Sequence, residues 1–540
     1  MENQSMTKGF AILSVSILLS KVLSIVYIPV LNNIIGDEAM GLYFTTYQIF
    51  AFVFIVVNAG IPVAISKMVA EYNATHSERE IKRTFSIARN SMLVISLVLS
   101  LILIVFSNQI ARFVKSEDVA LPIAIIAPCV FFAAMGYAYR AYFQGMNNMV
   151  PTAISQFVEQ LLNVVISLIA AFIMVRFGLI WGVVGSTLGT TIGAVISLLY
   201  LLYKKKNMKL DFWREKEIVR KRRSRVKFKV IFKAIIKMSL PLIICMGLTT
   251  FGDTVLDINN VKGRLITIGY SDEDKEILFG NYSKAIQFIN VPISLITNLS
   301  YSALPAFSTF FALKRYDEAN NKIKYTYKLC FLIVIPFAAA FSVLSKSIYS
   351  VLGFNMYTLL MFGAYNLIFM SLVQLQIAIL QSIGKLYQMT AFAIVGIVSK
   401  YIVNYICVGT RSLNISGALI GMGVSTFIVF LLNQLYLRKT LNMKFSLIKL
   451  SVKPLLSSIL MGVFAFLADK FINDILINIG FGNRFGNLIS LVITAIMSIA
   501  IYVAIMYIIG GFEKDDLDLL PRRIVSKIPN KILNRIKAEA

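Results

Sequence analysis

The sequence is short of what soluble enzymes work with. In 540 residues there are one histidine, four cysteines and 27 acidic side chains, and charged residues make up only 15%. The lone His76 falls in a polar connection, where a solvated histidine is expected and no second metal ligand stands near it. Cys129, Cys245, Cys330 and Cys407 all lie inside apolar segments, which excludes a disulfide framework and a thiolate metal site. No glycine-rich phosphate loop and no nucleotide-hydrolysing domain can be found. The reading is therefore no enzyme, no catalytic residues, no metal and no cofactor. Any work must draw on ion gradients, the membrane potential or consumption of the cargo.

What the chain has instead is apolar length. Hydrophobic residues make up 58% and the mean hydropathy is +0.76, which a water-facing surface cannot accommodate. Runs of about 20 apolar residues, enough to span a ~30 Å hydrocarbon core, recur from Phe10 to Gly510. They predict an all-α integral membrane protein with about fourteen transmembrane helices. The first run, 10–34, is too long for a signal peptide and no small-x-small cleavage site follows it, so it is expected to stay as helix 1, with helix 2 at 41–70.

The net charge of +26 is unevenly placed. With the N-terminus inside, roughly 37 of the 53 Lys and Arg fall at cytoplasmic helix ends, which predicts cytoplasmic termini. Fifteen of them lie between Lys204 and Lys237, a topology anchor that also suits anionic lipid. This clustering leaves nucleic acid without support as a partner. In the tail, Ile524, Ile528, Ile532 and Ile536 are spaced by four with basic residues between them, an interfacial pattern interrupted by Pro529.

The two halves resemble each other. Gly41, Tyr43 and Gln48 recur as Gly280, Tyr282 and Gln287, each 239 residues on. Gln144 recurs as Gln381, and Gly185 and Tyr200 as Gly421 and Tyr436, at nearly the same offset. Six helices separate each pair, so the copies keep one orientation and form two parallel six-helix bundles, the plan of an alternating-access transporter. The expected division is a first bundle at 1–203, a basic linker at 204–233, a second bundle at 234–440, two added helices at 441–511 and an amphipathic cytoplasmic tail at 512–540. The number of copies in the working protein stays open, and one chain suffices for transporters of this shape.

Ionisable residues within the apolar runs are functional candidates because each costs about 2.5–3.5 kcal/mol to insert. They are Lys21, Arg140, Glu159, Asp253, Asp257, Lys284 and Lys400. Lys21 lies too deep to snorkel, so it should face a cavity. Asp253 and Asp257 share a helix face, which suits either pairing, with Lys284 as a partner, or a bound cation. Arg140 and Glu159 flank one turn and suit either an ion pair or a substrate contact. Tyr43, Gln48, Gln144, Gln287 and Asn290 add polar groups suited to a wet cavity for a sugar-rich or phosphate-bearing headgroup.

Three stretches, SKVLSIVYIPVLNNIIGDEAMGLY from Ser20, NAGIPVAISKMVAEYN from Asn58 and YRAYFQGMNNMVPTAISQFVEQLLN from Tyr139, resemble the multidrug/oligosaccharidyl-lipid/polysaccharide exporter superfamily. Within it they are similar to the stage V sporulation protein B and polysaccharide biosynthesis protein group. A fourth stretch, from Tyr282, resembles helix 8 of MurJ-type lipid II flippases. The resemblance implies a multi-pass bacterial plasma-membrane protein that flips an undecaprenyl-pyrophosphate-linked saccharide, with membrane lipid as its other partner. It places Lys21 and Lys284 among the cavity cations. Where relatives carry further basic residues this chain has Tyr27 or Ile28 and Gln48, which implies a less cationic cavity. Two lysines match the charge of a pyrophosphate, which cannot enter a low-dielectric cleft uncompensated. Gly36, Gly41, Gly60, Pro29 and Pro62 would let helices 1 and 2 bend. The competing readings are a multidrug or cation antiporter of the same superfamily and a membrane glycosyltransferase. The latter would need a catalytic outer loop, and the longest expected here is 262–278.

Overall fold

A computed structural model describes residues 6–75, 77–207, 228–443, 445–479 and 483–512. Most of the basic linker, the C-terminal tail and His76 lie outside the described residues. Among those described there are seventeen α-helices and no strand: α1 Met6–Asn58, α2 Ile61–Ala74, α3 Glu78–Val105, α4 Ser107–Phe113, α5 Ala120–Gly145, α6 Val150–Met174, α7 Leu179–Lys206, α8 Phe228–Thr250, α9 Asp257–Thr267, α10 Asp272–Ala312, α11 Tyr316–Leu352, α12 Tyr357–Gly363, α13 Asn366–Ser382, α14 Leu386–Cys407, α15 Ser416–Leu441, α16 Leu447–Asn478 and α17 Asn483–Ile508.

A backbone in hydrocarbon must satisfy its own polar groups, which is why the chain is helical nearly throughout. Among the described residues, eleven helical stretches are long and apolar enough to cross a membrane, or twelve if α12 and α13, bent by 49°, count as one span. The long α10 is not among the eleven. Outward faces confirm the solvent: Val94, Val98, Leu101 and Val105 on α3, and Leu456, Ile459, Leu460, Val463, Phe466 and Leu467 on α16, are all exposed. Leaving such a side chain in water costs about 1.5–3 kcal/mol relative to burying it, a cost that lipid removes.

Three expectations from sequence are refined. Helices 1 and 2 do part between 34 and 41, but at a kink and not over a loop: α1 consists of two helical segments that meet at Gly36, which leaves helical geometry at φ 83°, ψ 171°. That backbone suits a residue without Cβ. A second interruption, inside the expected helix 2, comes at Ala59 and Gly60, where a Cβ on Gly60 would strike Ser239 of α8. The outer loop expected at 262–278 shrinks to residues 268–271, because α9 and α10 extend into it from both sides. A π-helical turn, Phe251–Leu256, lies between α8 and α9.

Packing divides the chain into two compact units, which differ from the two sequence copies. One comprises Met1–Lys284 with Ala393–Gly421, the other Ala285–Phe392 with Met422–Ala540. In the first, glycines seat one helix on another. Gly185 of α7 lies against Ala170 and Ala171 of α6, and its repeat mate Gly421 of α15 lies against Asn404 of α14. In the second, α16 and α17 pack on α11, with Met461, Tyr502 and Met506 buried against Leu332 and Ala339. There Asp469 of α16 accepts hydrogen bonds from Ser347 and Ser490, and Tyr502 donates to the Leu332 carbonyl at 3.0 Å.

Candidate functional site

Buried charge concentrates in the first unit, at three places. The first is a crossing of α1 and α10. Gly41 and Gly280 meet there with no room for a side chain: a Cβ on Gly41 would strike the Glu276 carbonyl, and one on Gly280 would come within 3.0 Å of the Asp37 carbonyl. Small residues allow such backbone contact in membranes. On one side of the crossing, fully buried Lys284 donates to Asp37 Oδ1 at 2.5 Å and to Asn281 Oδ1 at 3.4 Å. On the other, fully buried Lys262 of α9 donates to Glu276 Oε2 at 2.6 Å and to Thr45 Oγ1 at 2.7 Å. Ser116 also donates to Glu276, at 2.8 Å. Nearby Lys275 is held by the Lys115 carbonyl at 2.7 Å and by Asp272 at 2.6 Å. A lone buried ion would cost several kcal/mol, so each ammonium here is paired and hydrogen-bonded.

The second place joins α9 to α14. Lys400 Nζ lies 3.0 Å from Asp257 Oδ2 and 3.4 Å from the Asp253 carbonyl, and Asn404 donates to Asp257 Oδ1 at 2.7 Å. This corrects the expected pairing: the lysine serving Asp257 is Lys400, and Lys284 serves Asp37. Asp253, one turn earlier and in the π-helical turn, has an exposed side chain.

The third place ties α5, α6 and α7 together. Arg140, 3% exposed, donates to Glu159, to Ser155 at 2.9 Å and to Ser197 at 2.8 Å, and its guanidinium sits 5.0 Å from the Tyr137 ring centre. The ion pair read from sequence as one of two options is present. Because Arg140 serves three partners and Glu159 is partly exposed, Arg140→Ala is expected to lower the thermal denaturation midpoint more than Glu159→Gln. Size-exclusion of heated, detergent-solubilised protein checks this, and equal losses would contradict it.

The remaining candidates are scattered relative to these clusters. Tyr43 is buried in a run of rings, 6.2 Å from Tyr27 and 4.5 Å from Tyr47. Tyr47 in turn bonds Thr190. Gln48 and Gln144 are half-buried, whereas Gln287 and Asn290 are exposed on α10 beyond Lys284. Exposed amides in a helix of this length call for water or a polar ligand as neighbour, since lipid cannot satisfy them. Lys21 lies on α1, with its side chain outside the described residues. Pro29 sits inside α1 and Pro62 in the first turn of α2, where the missing N–H costs nothing. Among the described residues no group of His, Cys, Asp or Glu is placed to hold a metal ion.

Asp37, Lys262 and Glu276 were not singled out by sequence reasoning, which took residues 262–278 for a loop. The repeat offset carries the missing signal: it maps Asp37 onto Glu276 and Thr45 onto Lys284.

Comparison with known proteins places this arrangement. The computed structure is similar to the lipid II flippase MurJ in an inward closed conformation, with a TM-score of 0.66 over 92% of this chain and 98% of that one at 16% identity. It is similar to an inward-facing multidrug resistance MATE transporter of the MOP superfamily, with a TM-score of 0.65 over 82% of this chain and 99% of that one at 16% identity. In sequence, the chain is 22% identical to the Bacillus subtilis lipid II flippase MurJ over 97% of its own length and 98% of that protein's. It is 32% identical to Bacillus subtilis stage V sporulation protein B over a shorter stretch, 30% of this chain and 32% of that protein. Of these, MurJ is a flippase and the MATE protein a transporter. The polysaccharide biosynthesis protein family matches residues 6–311, more than half the chain. With its many apolar helices and its MurJ- and MATE-like fold, the chain is a multi-pass membrane protein that belongs to the polysaccharide biosynthesis protein family.

Proposed function

We propose that this protein is a flippase for a lipid-linked saccharide, carrying an undecaprenyl-pyrophosphate-borne peptidoglycan precursor such as lipid II to the outer leaflet by alternating access. The observation that carries the reading is Lys284, a fully buried ammonium on α10 held by Asp37, with the exposed amides of Gln287 and Asn290 further along the same helix. A diphosphate is the kind of ligand that can take such an ammonium from a carboxylate, offering more charge and more acceptor oxygens. The amides then suit sugar hydroxyls, and the polyprenyl chain can remain in lipid. Likeness to MurJ over nearly the whole of both chains supports the same reading. The proposal includes fourteen crossings, cytoplasmic termini and two parallel copies, 1–203 and 234–440, joined by the basic linker and followed by two added helices.

The MATE-like fold and the exposed Asp253 carboxylate favour a second reading, an antiporter for organic cations. One experiment separates the two. In cells lacking other flippases, depletion of this protein is expected to lower the lipid-linked precursor accessible at the outer leaflet and to leave efflux of a cationic dye unchanged. An unchanged precursor pool with lost efflux reverses the order.

A further inference from the structure

The contacts at the α1/α10 crossing repeat themselves. With the 239-residue offset that relates Gly41 to Gly280, Asp37 corresponds to Glu276 and Thr45 to Lys284. The structure pairs Asp37 with Lys284, and it brings their mates Glu276 and Thr45 together on one ammonium. The backbone obeys the same rule, since Gly41 abuts the Glu276 carbonyl and Gly280 abuts the Asp37 carbonyl. When residue i touches j′ and its mate i′ touches j, the contact is isologous and a two-fold axis passes through it. For parallel repeats that axis runs along the membrane normal.

We infer that this crossing is a reversible closure between the chain's two copies, latched by two pseudo-symmetric arms, Asp37–Lys284 and Glu276–Lys262–Thr45. The arms carry the same acid position but obtain their cation differently. In one it comes from α10 itself. In the other Thr45 stands where a lysine would be, and Lys262 reaches in from α9, at the position whose mate is Leu23. Ionic latches suit a contact that must reopen. Dry ion pairs give back little net energy over well-packed apolar side chains, and separated charges regain hydration when water enters. An all-apolar crossing would lose on opening what the ionic one recovers. The arms are also unequal in cover: the Asp37 side chain is 19% exposed and that of Glu276 only 5%. The Asp37 arm is therefore the first to part. Resting on the lipid-linked reading above, a pyrophosphate that takes Lys284 also releases Asp37, so that loading of cargo weakens the closure.

Ser283 provides the probe. It lies on α10 beside Lys284, is 3% exposed, and its hydroxyl has no hydrogen-bond partner among the described residues, so Ser283→Cys is nearly isosteric. In intact cells a membrane-impermeant maleimide is expected to label Ser283→Cys weakly, with the unsubstituted chain as background for its four native cysteines. Adding Asp37→Asn or Lys262→Leu is expected to raise labelling at least fivefold. Adding Thr45→Lys to Lys262→Leu rebuilds the second arm on the pattern of the first and should return labelling to the parent level. Unchanged protection in both single variants, or failure of Thr45→Lys to restore it, overturns the paired closure. None of these readings depends on cargo. In nanodiscs, undecaprenyl pyrophosphate should raise labelling of the parent probe as well. If it does not while the variants behave as expected, the closure stands and the lipid-linked reading falls.

Discussion

Replacing Lys284 with alanine is expected to abolish growth of a strain that depends on this protein for flipping, at protein levels within about twofold of the parent. The lysine is fully buried and its ammonium is bound by Asp37, so the substitution has two consequences. It removes the cation proposed to meet the pyrophosphate, and it strips Asp37 of a partner. Charge-assisted hydrogen bonds contribute about 1.5–3 kcal/mol each, or roughly 10- to 150-fold in cargo affinity. The second consequence is a folding effect and has to be removed before growth can be interpreted. Asp37→Asn combined with Lys284→Gln does this by deleting both charges while keeping volume and hydrogen-bonding capacity. The double variant should accumulate normally and still fail to support growth. Lys284→Arg, which keeps the charge, should retain partial function. Full growth of the double variant would remove Lys284 from the cargo path.

Much of the architecture could be read from the sequence because lipid imposes simple rules. Apolar runs from Phe10 to Gly510 had to become helices, since no other open structure satisfies its backbone in hydrocarbon. Of the ionisable residues inside those runs, Arg140, Glu159, Asp257, Lys284 and Lys400 all sit in ion pairs. What sequence could not supply was who pairs with whom. Lys284 was offered as a partner for Asp253 and Asp257, whereas the lysine on Asp257 comes from α14, more than 140 residues away. The stretch from Lys262 to Glu276 was misread for a different reason. It falls between two apolar runs and was expected as a loop for that reason, yet Lys262 and Glu276 neutralise each other and so can be buried on helices. Charge marks a loop only when it is unpaired, and pairing is a tertiary fact. Gly41 shows the same limit. Glycine in a membrane helix can mean a bend or a close contact, and here Gly36 takes the first part and Gly41 the second.

Lys400→Met should destabilise the protein more than any single change at Asp253. Both partners in the Lys400–Asp257 pair are 8% exposed, and the methionine leaves the Asp257 carboxylate with Asn404 as its hydrogen-bond donor. Breaking a buried pair from one side typically costs about 3–5 kcal/mol, because the remaining charge has neither water nor a counter-ion. Thermal denaturation followed by size-exclusion should therefore shift down by several degrees, and protein abundance should fall. Adding Asp257→Asn removes the orphaned charge and should recover most of the loss, since an amide of the same shape can still accept from Asn404. Asp253→Asn alone should change stability little. Its side chain is exposed, and what Lys400 binds there is the backbone carbonyl, which the substitution preserves. Two acids one turn apart would thus separate into a structural one and an accessible one. Equal losses from Asp253→Asn and Asp257→Asn would mean instead that the two carboxylates share the lysine and act as a unit.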